Sequence, residues 1–189
     1  IRWLRELLDE MGRKDVVLYM GSSTGARGPI ELIDRYPDLK DKVDAFEFHA
    51  YDGTAENRFR QHGDGLFDLR RMLEARGIKK PIHDTEHGWT NSPSMDTEIQ
   101  KRTWDTLVFA ALNGVGSVSF YSWDNEKQPH KQHAPLYRPA MVSVLDKFTR
   151  ELQGQTIIRV VDPGNRQPWE VTTRQIPSSL KATDLSIGR

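Results

Sequence analysis

The chain has 189 residues, of which 37% are hydrophobic and 29% charged; Lys+Arg and Asp+Glu both number 27, and cysteine is absent. That length and balance suit a globular domain with a core of its own. A formal net charge of zero gives nucleic acid or an anionic membrane no electrostatic reason to bind, so neither is expected as a partner. No apolar run reaches the length of a membrane span, and neither a disulfide nor thiol chemistry is available.

IRWLRELLDEM spaces Leu4, Leu7, Leu8 and Met11 as a helix that Gly12 ends. DVVLYMG is an apolar run of strand length, followed by a Gly-rich loop. GPIELIDRY reads as a short helix stopped near Pro37. VDAFEFHAY alternates, which puts Val43, Ala45, Glu47, His49 and Tyr51 on one strand face. A helix is expected within 57–77, with Leu66, Leu69 and Leu73 as its stripe, and KKPIHDTE is the next strand. EIQKRTWDTLVFAALNG aligns Ile99, Thr103, Leu107 and Ala111 on a helix, VGSVSFYSW is a fourth strand, and YRPAMVSVLDKFTRELQG is a closing helix carrying Met141, Leu145, Phe148 and Leu152.

Strand and helix alternate four times, which predicts an α/β fold with a parallel sheet and crossover helices. The segments after strands (21–27, 51–56, 87–95 and 123–136) are long and polar, whereas those after helices are brief. Parallel α/β folds bind ligands at the carboxyl ends of their strands, so that end is the expected working face. After Gly154 the alternation stops: QTIIRVV is a further strand and PGNRQPWEVTT a turn leading into another. The expected organisation is 1–154 as the alternating domain and 155–189 as an accessory β element or tail.

The strand ends carry the candidate chemistry. TEHGW supplies Glu86, His87 and Trp89; HAYDG supplies His49 and Tyr51; YSWDN supplies Tyr121, Trp123 and Asp124; MGSST supplies Ser22, Ser23 and Thr24. Period-two spacing groups Glu86 with Asp84 and Ile82. A carboxylate at a strand tip, desolvated on one side and open on the other, serves as a nucleophile or as an acid/base; otherwise it is a solvated rim charge. His49 and Tyr51 can hold such a carboxylate and tune it, or simply pack. Trp89 and Trp123 offer flat apolar faces of the kind that stack on sugar C–H groups, or on a core. His130 and His133 lie three apart near Asp124 and Glu126, but no third ligand has metal-site spacing, and no metal or cofactor is expected.

PIHDTEHGW, VDAFEFHAY and SVSFYSWDN together resemble the last strands of the large retaining clan of (β/α)8 glycoside hydrolases, which includes cellulase-like, β-xylosidase-like and β-galactosidase-like families. The resemblance covers roughly residues 1–154 and implies the last four βα units of a TIM barrel. It implies Glu86 as the catalytic nucleophile of a retaining glycosidase, with His49 or Tyr51 contacting it. Trp123 would be the sugar-stacking floor, and His87, Trp89 and Asp124 would be substrate contacts. The clan's second Glu, the general acid/base in an Asn-Glu pair ending a strand, has no match: Asn125-Glu126 falls in a loop. The resemblance therefore implies the C-terminal half of a longer enzyme, inactive alone. Its partners would be a carbohydrate substrate and the missing N-terminal half of the barrel. Enzymes of that clan are often exported.

Two other readings stand beside this one. LYMGSSTGARG resembles the phosphate loop of a flavodoxin-like doubly wound sheet that binds flavin mononucleotide, with Trp89 and Trp123 stacking on the flavin. Against it, a helix precedes the first strand, and Ala26, Arg27 and Gly28 stand where a further hydroxyl belongs. The other is a carbohydrate-binding module without catalysis, with Glu86 only accepting hydrogen bonds.

Overall fold

The computed structural model describes residues 1–21, 26–51, 65–88, 95–120, 138–164 and 167–175, without the side chains of Ala50 and Tyr51. The chain gathers into two compact units, Ile1–Thr90 with Val115–Tyr121, and Asn91–Gly114 with Ser122–Arg189.

The first unit is α/β. Its described elements are α1 (Arg2–Glu10), β1 (Tyr19–Met20), α2 (Arg27–Arg35), α3 (Leu39–Lys42), β2 (Ala45–Tyr51), α4 (Leu66–Glu74), β3 (Ile82–Gly88) and β4 (Val115–Phe120). The strands form one sheet in the order β1-β2-β3-β4, every neighbouring pair parallel. Alternation in AFEFHAY sorts the side chains of β2. Phe46 and Phe48 are fully buried, as are Met20 on β1 and Ile82 on β3, and Tyr19 pairs with Ala45 on the other face. The stripes of α2 (Ile30, Ile33) and α4 (Leu66, Leu69, Leu73) are buried as well. Apolar side chains of this size each contribute about 1.5–3 kcal/mol when fully buried, which makes this layer the core of the unit.

The first strand is much shorter than the run DVVLYMG suggests. Only Tyr19 and Met20 pair, because Asp44 takes over the ladder before β2 begins. Its Oδ2 accepts the Leu18 N–H at 2.8 Å, and its own N–H donates to the Leu18 carbonyl at 2.8 Å. The same carboxylate receives the Arg5 guanidinium from α1, whose Nε also donates to the Lys42 carbonyl at 3.2 Å. Burial pushes the Asp44 carboxyl up, but the Leu18 N–H and Arg5 outweigh it and hold its pKa below the ordinary value. The helix expected within 57–77 is described only as α4, since 52–64 lie outside the described residues.

The second unit holds α5 (Asp96–Leu112), α6 (Pro139–Leu152) and an antiparallel hairpin of β5 (Gln155–Val161) and β6 (Glu170–Gln175). That hairpin supplies the two strands expected after Gly154. Gly154 itself follows α6 at φ 70°, the left-handed turn that a helix C-terminus favours and a side chain resists. Burial on α5 runs wider than its expected stripe: it takes in Trp104, Asp105, Thr106 and Val108, and Ala111 is exposed. Two neighbouring residues of α5 grip one stretch of backbone. Trp104 Nε1 donates to the Trp169 carbonyl at 2.7 Å, and Asp105 Oδ1 accepts the Trp169 N–H at 2.8 Å. Phe148 of α6 meets the Trp104 ring edge-on, with centroids 5.9 Å apart. Among the described residues, no helix is long and apolar enough to cross a membrane.

Asp44→Ala should cost about 1 kcal/mol, since it removes the acceptor of the Leu18 N–H, while the ion pair with Arg5 adds little because the Asp44 carboxylate is well exposed. The folded pKa is depressed, so this contribution is present above the unfolded value of about 3.9 and is lost as pH falls through the folded value. Urea unfolding at neutral pH and at pH 3 measures both; an equal loss at the two pH values would contradict the assignment. For Asp105, burial raises the pKa against the opposing pull of Lys101 and the Trp169 N–H. A raised folded pKa means that the buried charge costs stability at neutral pH and that the cost fades as pH falls. Asp105→Asn keeps an acceptor without the charge, and thermal melts should find it as stable as the parent or more so. Asp105→Leu should lose about 1–3 kcal/mol by stranding the Trp169 N–H.

Candidate functional site

The register of β3 decides which face Glu86 occupies. Phe48 pairs with Asp84 and the next residue, His49, pairs with Glu86, so β3 carries one extra residue, Thr85, against β2. The partner on the other side reports the same excess: Asp84 pairs with Val118 and His87 with Phe120, three steps on β3 against two on β4. This is a β-bulge, and it breaks the period-two grouping of Glu86 with Asp84 and Ile82. Asp84 stays with Ile82 in the buried layer; Glu86 joins His49 on the opposite face.

That opposite face is polar. His49 Nδ1 lies 3.4 Å from Glu86 Oε2, with 16% of the His49 side chain and 32% of the Glu86 side chain exposed. The pair is thus half-buried, and solvent or a ligand reaches it. Beside it, Thr85 Oγ1 donates to Glu47 Oε2 at 2.9 Å. One step nearer the amino ends of the strands, His83 Nδ1 and Ser117 Oγ share a hydrogen bond of 2.8 Å, and Tyr19 stands edge-on to the His83 ring with centroids 5.0 Å apart. Burial holds the His83 pKa below its ordinary value, so the ring is neutral at pH 7. Gly116 makes room for that ring: a Cβ there would sit 2.5 Å from His83 Cε1. Here β4 in turn carries an extra residue against β3, between Val115 and Val118.

Of the residues singled out from sequence, the structure brings Glu86 and His49 together. His87 goes elsewhere: it is fully buried on the apolar face, with Nδ1 2.6 Å from Asp84 Oδ2 and its ring edge-on to Phe120 at 5.3 Å. It therefore shares no surface with the exposed part of Glu86. Tyr51 ends β2 opposite Gly88, and its side chain lies outside what the structure describes. Trp89, Tyr121, Trp123, Asp124, Glu126, His130, His133 and the Ser22–Ser23–Thr24 loop all lie outside the described residues. Among the described residues, no cluster of three or more His, Asp or Glu side chains is placed to hold a metal.

Sequence reasoning passed over Glu47, Thr85, His83, Ser117 and Tyr19. The alternation that found His49 also points to Glu47, two residues before it. Alternation against Ile82 and Asp84 also points to His83 and Thr85; only the arrival of Glu86 on their face depends on the bulge.

Chemically, the face offers a carboxylate beside an imidazole at the carboxyl end of the sheet, with a neutral histidine, a hydroxyl pair and a second carboxylate behind it. At 3.4 Å the imidazole nitrogen stands next to one carboxylate oxygen, close enough to act on it once a ligand draws the two together. Gly116→Ala should drive a methyl group into the His83 ring, break the His83–Ser117 bond and cost about 1–3 kcal/mol in denaturant unfolding. Unchanged stability would show that the ring has room to move.

Compared with known proteins, the chain matches no family model and no curated protein.

Proposed function

We propose that the four parallel strands are a segment of a (β/α)8 barrel, and that Glu86 is the nucleophile of a retaining glycosidase. The observation that carries this reading is Glu86 and His49 on one rung of adjacent parallel strands, 3.4 Å apart and partly exposed. The strand order supports it too. A sheet that runs β1-β2-β3-β4 without reversal winds in one direction, as a barrel does. A doubly wound flavodoxin-like sheet reverses at a switch point, where its cofactor sits. In this unit the apolar face is buried and the face bearing Glu86 is polar, the arrangement expected when that second face lines a substrate-binding hollow.

In this mechanism Glu86 attacks the anomeric carbon and forms a glycosyl-enzyme, which water then hydrolyses with net retention. His49 holds the Glu86 carboxylate in line for attack. Retaining hydrolysis needs a second carboxyl group about 5–5.5 Å from the first, to protonate the departing oxygen and then activate water. Glu47 shares the polar face, but its carboxylate is engaged by Thr85 and sits further down the strand than His49. The acid/base is instead assigned to a part of the barrel outside this chain, and the chain alone is expected to be inactive. Tyr51 assists His49, Trp123 stacks on the sugar, and Trp89 and Asp124 contribute to specificity. His87 is left out of substrate contact because it is buried on the other face.

The test uses the full-length gene product and a panel of aryl glycosides. Glu86→Gln should lower kcat by at least about a thousandfold while leaving circular dichroism unchanged, because a nucleophile that forms a covalent bond has no substitute. Near-normal turnover in that variant would end the assignment. Sugar binding without hydrolysis in the unaltered protein would favour a carbohydrate-binding module.

A further inference from the structure

We propose that Asp84 and His87 are positioning residues for Glu86: their buried hydrogen bond locks the β3 bulge and so keeps the Glu86 carboxylate beside His49. The proposal deepens the reading of Glu86 as the working carboxylate and rests on it for its functional weight.

The geometry is specific. In a regular strand, residues three apart point to opposite faces and cannot bond through their side chains. Asp84 and His87 do bond, at 2.6 Å, with 1% and 0% of their side chains exposed. The extra residue between them makes this possible, and both neighbouring strands register it. The bulge is pinned on both faces. On the buried face it is held by the Asp84–His87 bond and by Phe120 against the His87 ring. On the polar face Thr85 is tied to Glu47.

The alternative state is equally concrete. If β3 returned to simple alternation, Glu86 would swing into the layer of Phe46, Phe48 and Ile82, and His87 would swing out of it. The buried bond between carboxylate and imidazole opposes that slip, since the slip breaks it inside the core. Asp84 and His87 are shut off from solvent, so they act on Glu86 through where they place it.

The test uses the full-length gene product. Glu86→Gln should move the His49 Nδ1 resonance in nitrogen-15 spectra of the side chains, because it removes the charge 3.4 Å away. In a His87→Phe background that response should disappear. In a His87→Asn background, where an amide stands in the place of Nδ1, it should persist. An undiminished response in His87→Phe would overturn the proposal. Should His87→Phe fail to fold, Asp84→Asn decides the matter, being nearly isosteric but without the charge that strengthens the bond. Amide exchange at Thr85, Glu86 and His87 should then quicken about tenfold relative to β2; unchanged exchange would overturn the proposal equally. None of these readings needs hydrolysis. An intact lock in an enzyme indifferent to Glu86→Gln would therefore refute the glycosidase reading alone.

Discussion

One extra residue in β3 governs the candidate site. A seven-residue strand cannot alternate from end to end and also deliver Asp84 and His87 to the core and Glu86 to the polar face. The bulge at Thr85 resolves this conflict, and it does so where the strand nears its carboxyl end, the region in which parallel sheets bind ligands. Bulges commonly re-aim a side chain beside a working site, and here the re-aimed side chain is the carboxylate that carries the proposed chemistry.

The sheet supports this arrangement through an asymmetry between its faces. Met20, Phe46, Phe48 and Ile82 form a buried apolar layer, while Glu47, His49, Thr85 and Glu86 stand together on the other side. The apolar layer supplies the core, and the polar face carries the hydrogen bonds of His83 with Ser117 and of Thr85 with Glu47. The edge of the unit is anchored by Asp44, which satisfies the Leu18 N–H and gathers Arg5 from α1. In the other unit the same economy holds the hairpin: Trp104 and Asp105, adjacent on α5, grip both polar atoms of Trp169.

Much of this was legible in the sequence because it rests on period. The alternation of FEFHAY foretold the burial of Phe46 and Phe48, and it placed His49 and Glu47 on one face. The stripe of Leu66, Leu69 and Leu73 foretold the buried side of α4, and the break after Gly154 foretold the hairpin. What depends on breaking the period was not legible. Nothing in PIHDTEHGWT announces that Thr85 is surplus to the ladder, so the same alternation rule assigned Glu86 to the face of Asp84. It likewise left His87 looking like a ligand contact rather than a buried partner of Asp84. The run DVVLYMG has the composition of a full strand, yet pairing stops at two residues because a side chain at Asp44 replaces the ladder there. On α5 the buried arc is wider than any single stripe, since Trp104 and Asp105 serve the hairpin, a long-range demand that local spacing does not record.

The account comes down to whether the Glu86 carboxylate forms a bond to sugar. The most direct measurement is covalent trapping in the full-length gene product, using 2-deoxy-2-fluoro glycosides with good leaving groups, followed by peptide mass analysis. The account predicts one added glycosyl group, carried by the peptide containing Glu86 and absent from Glu86→Gln. A label on any other carboxylate, or hydrolysis with inverted configuration and no trapped species, would contradict it.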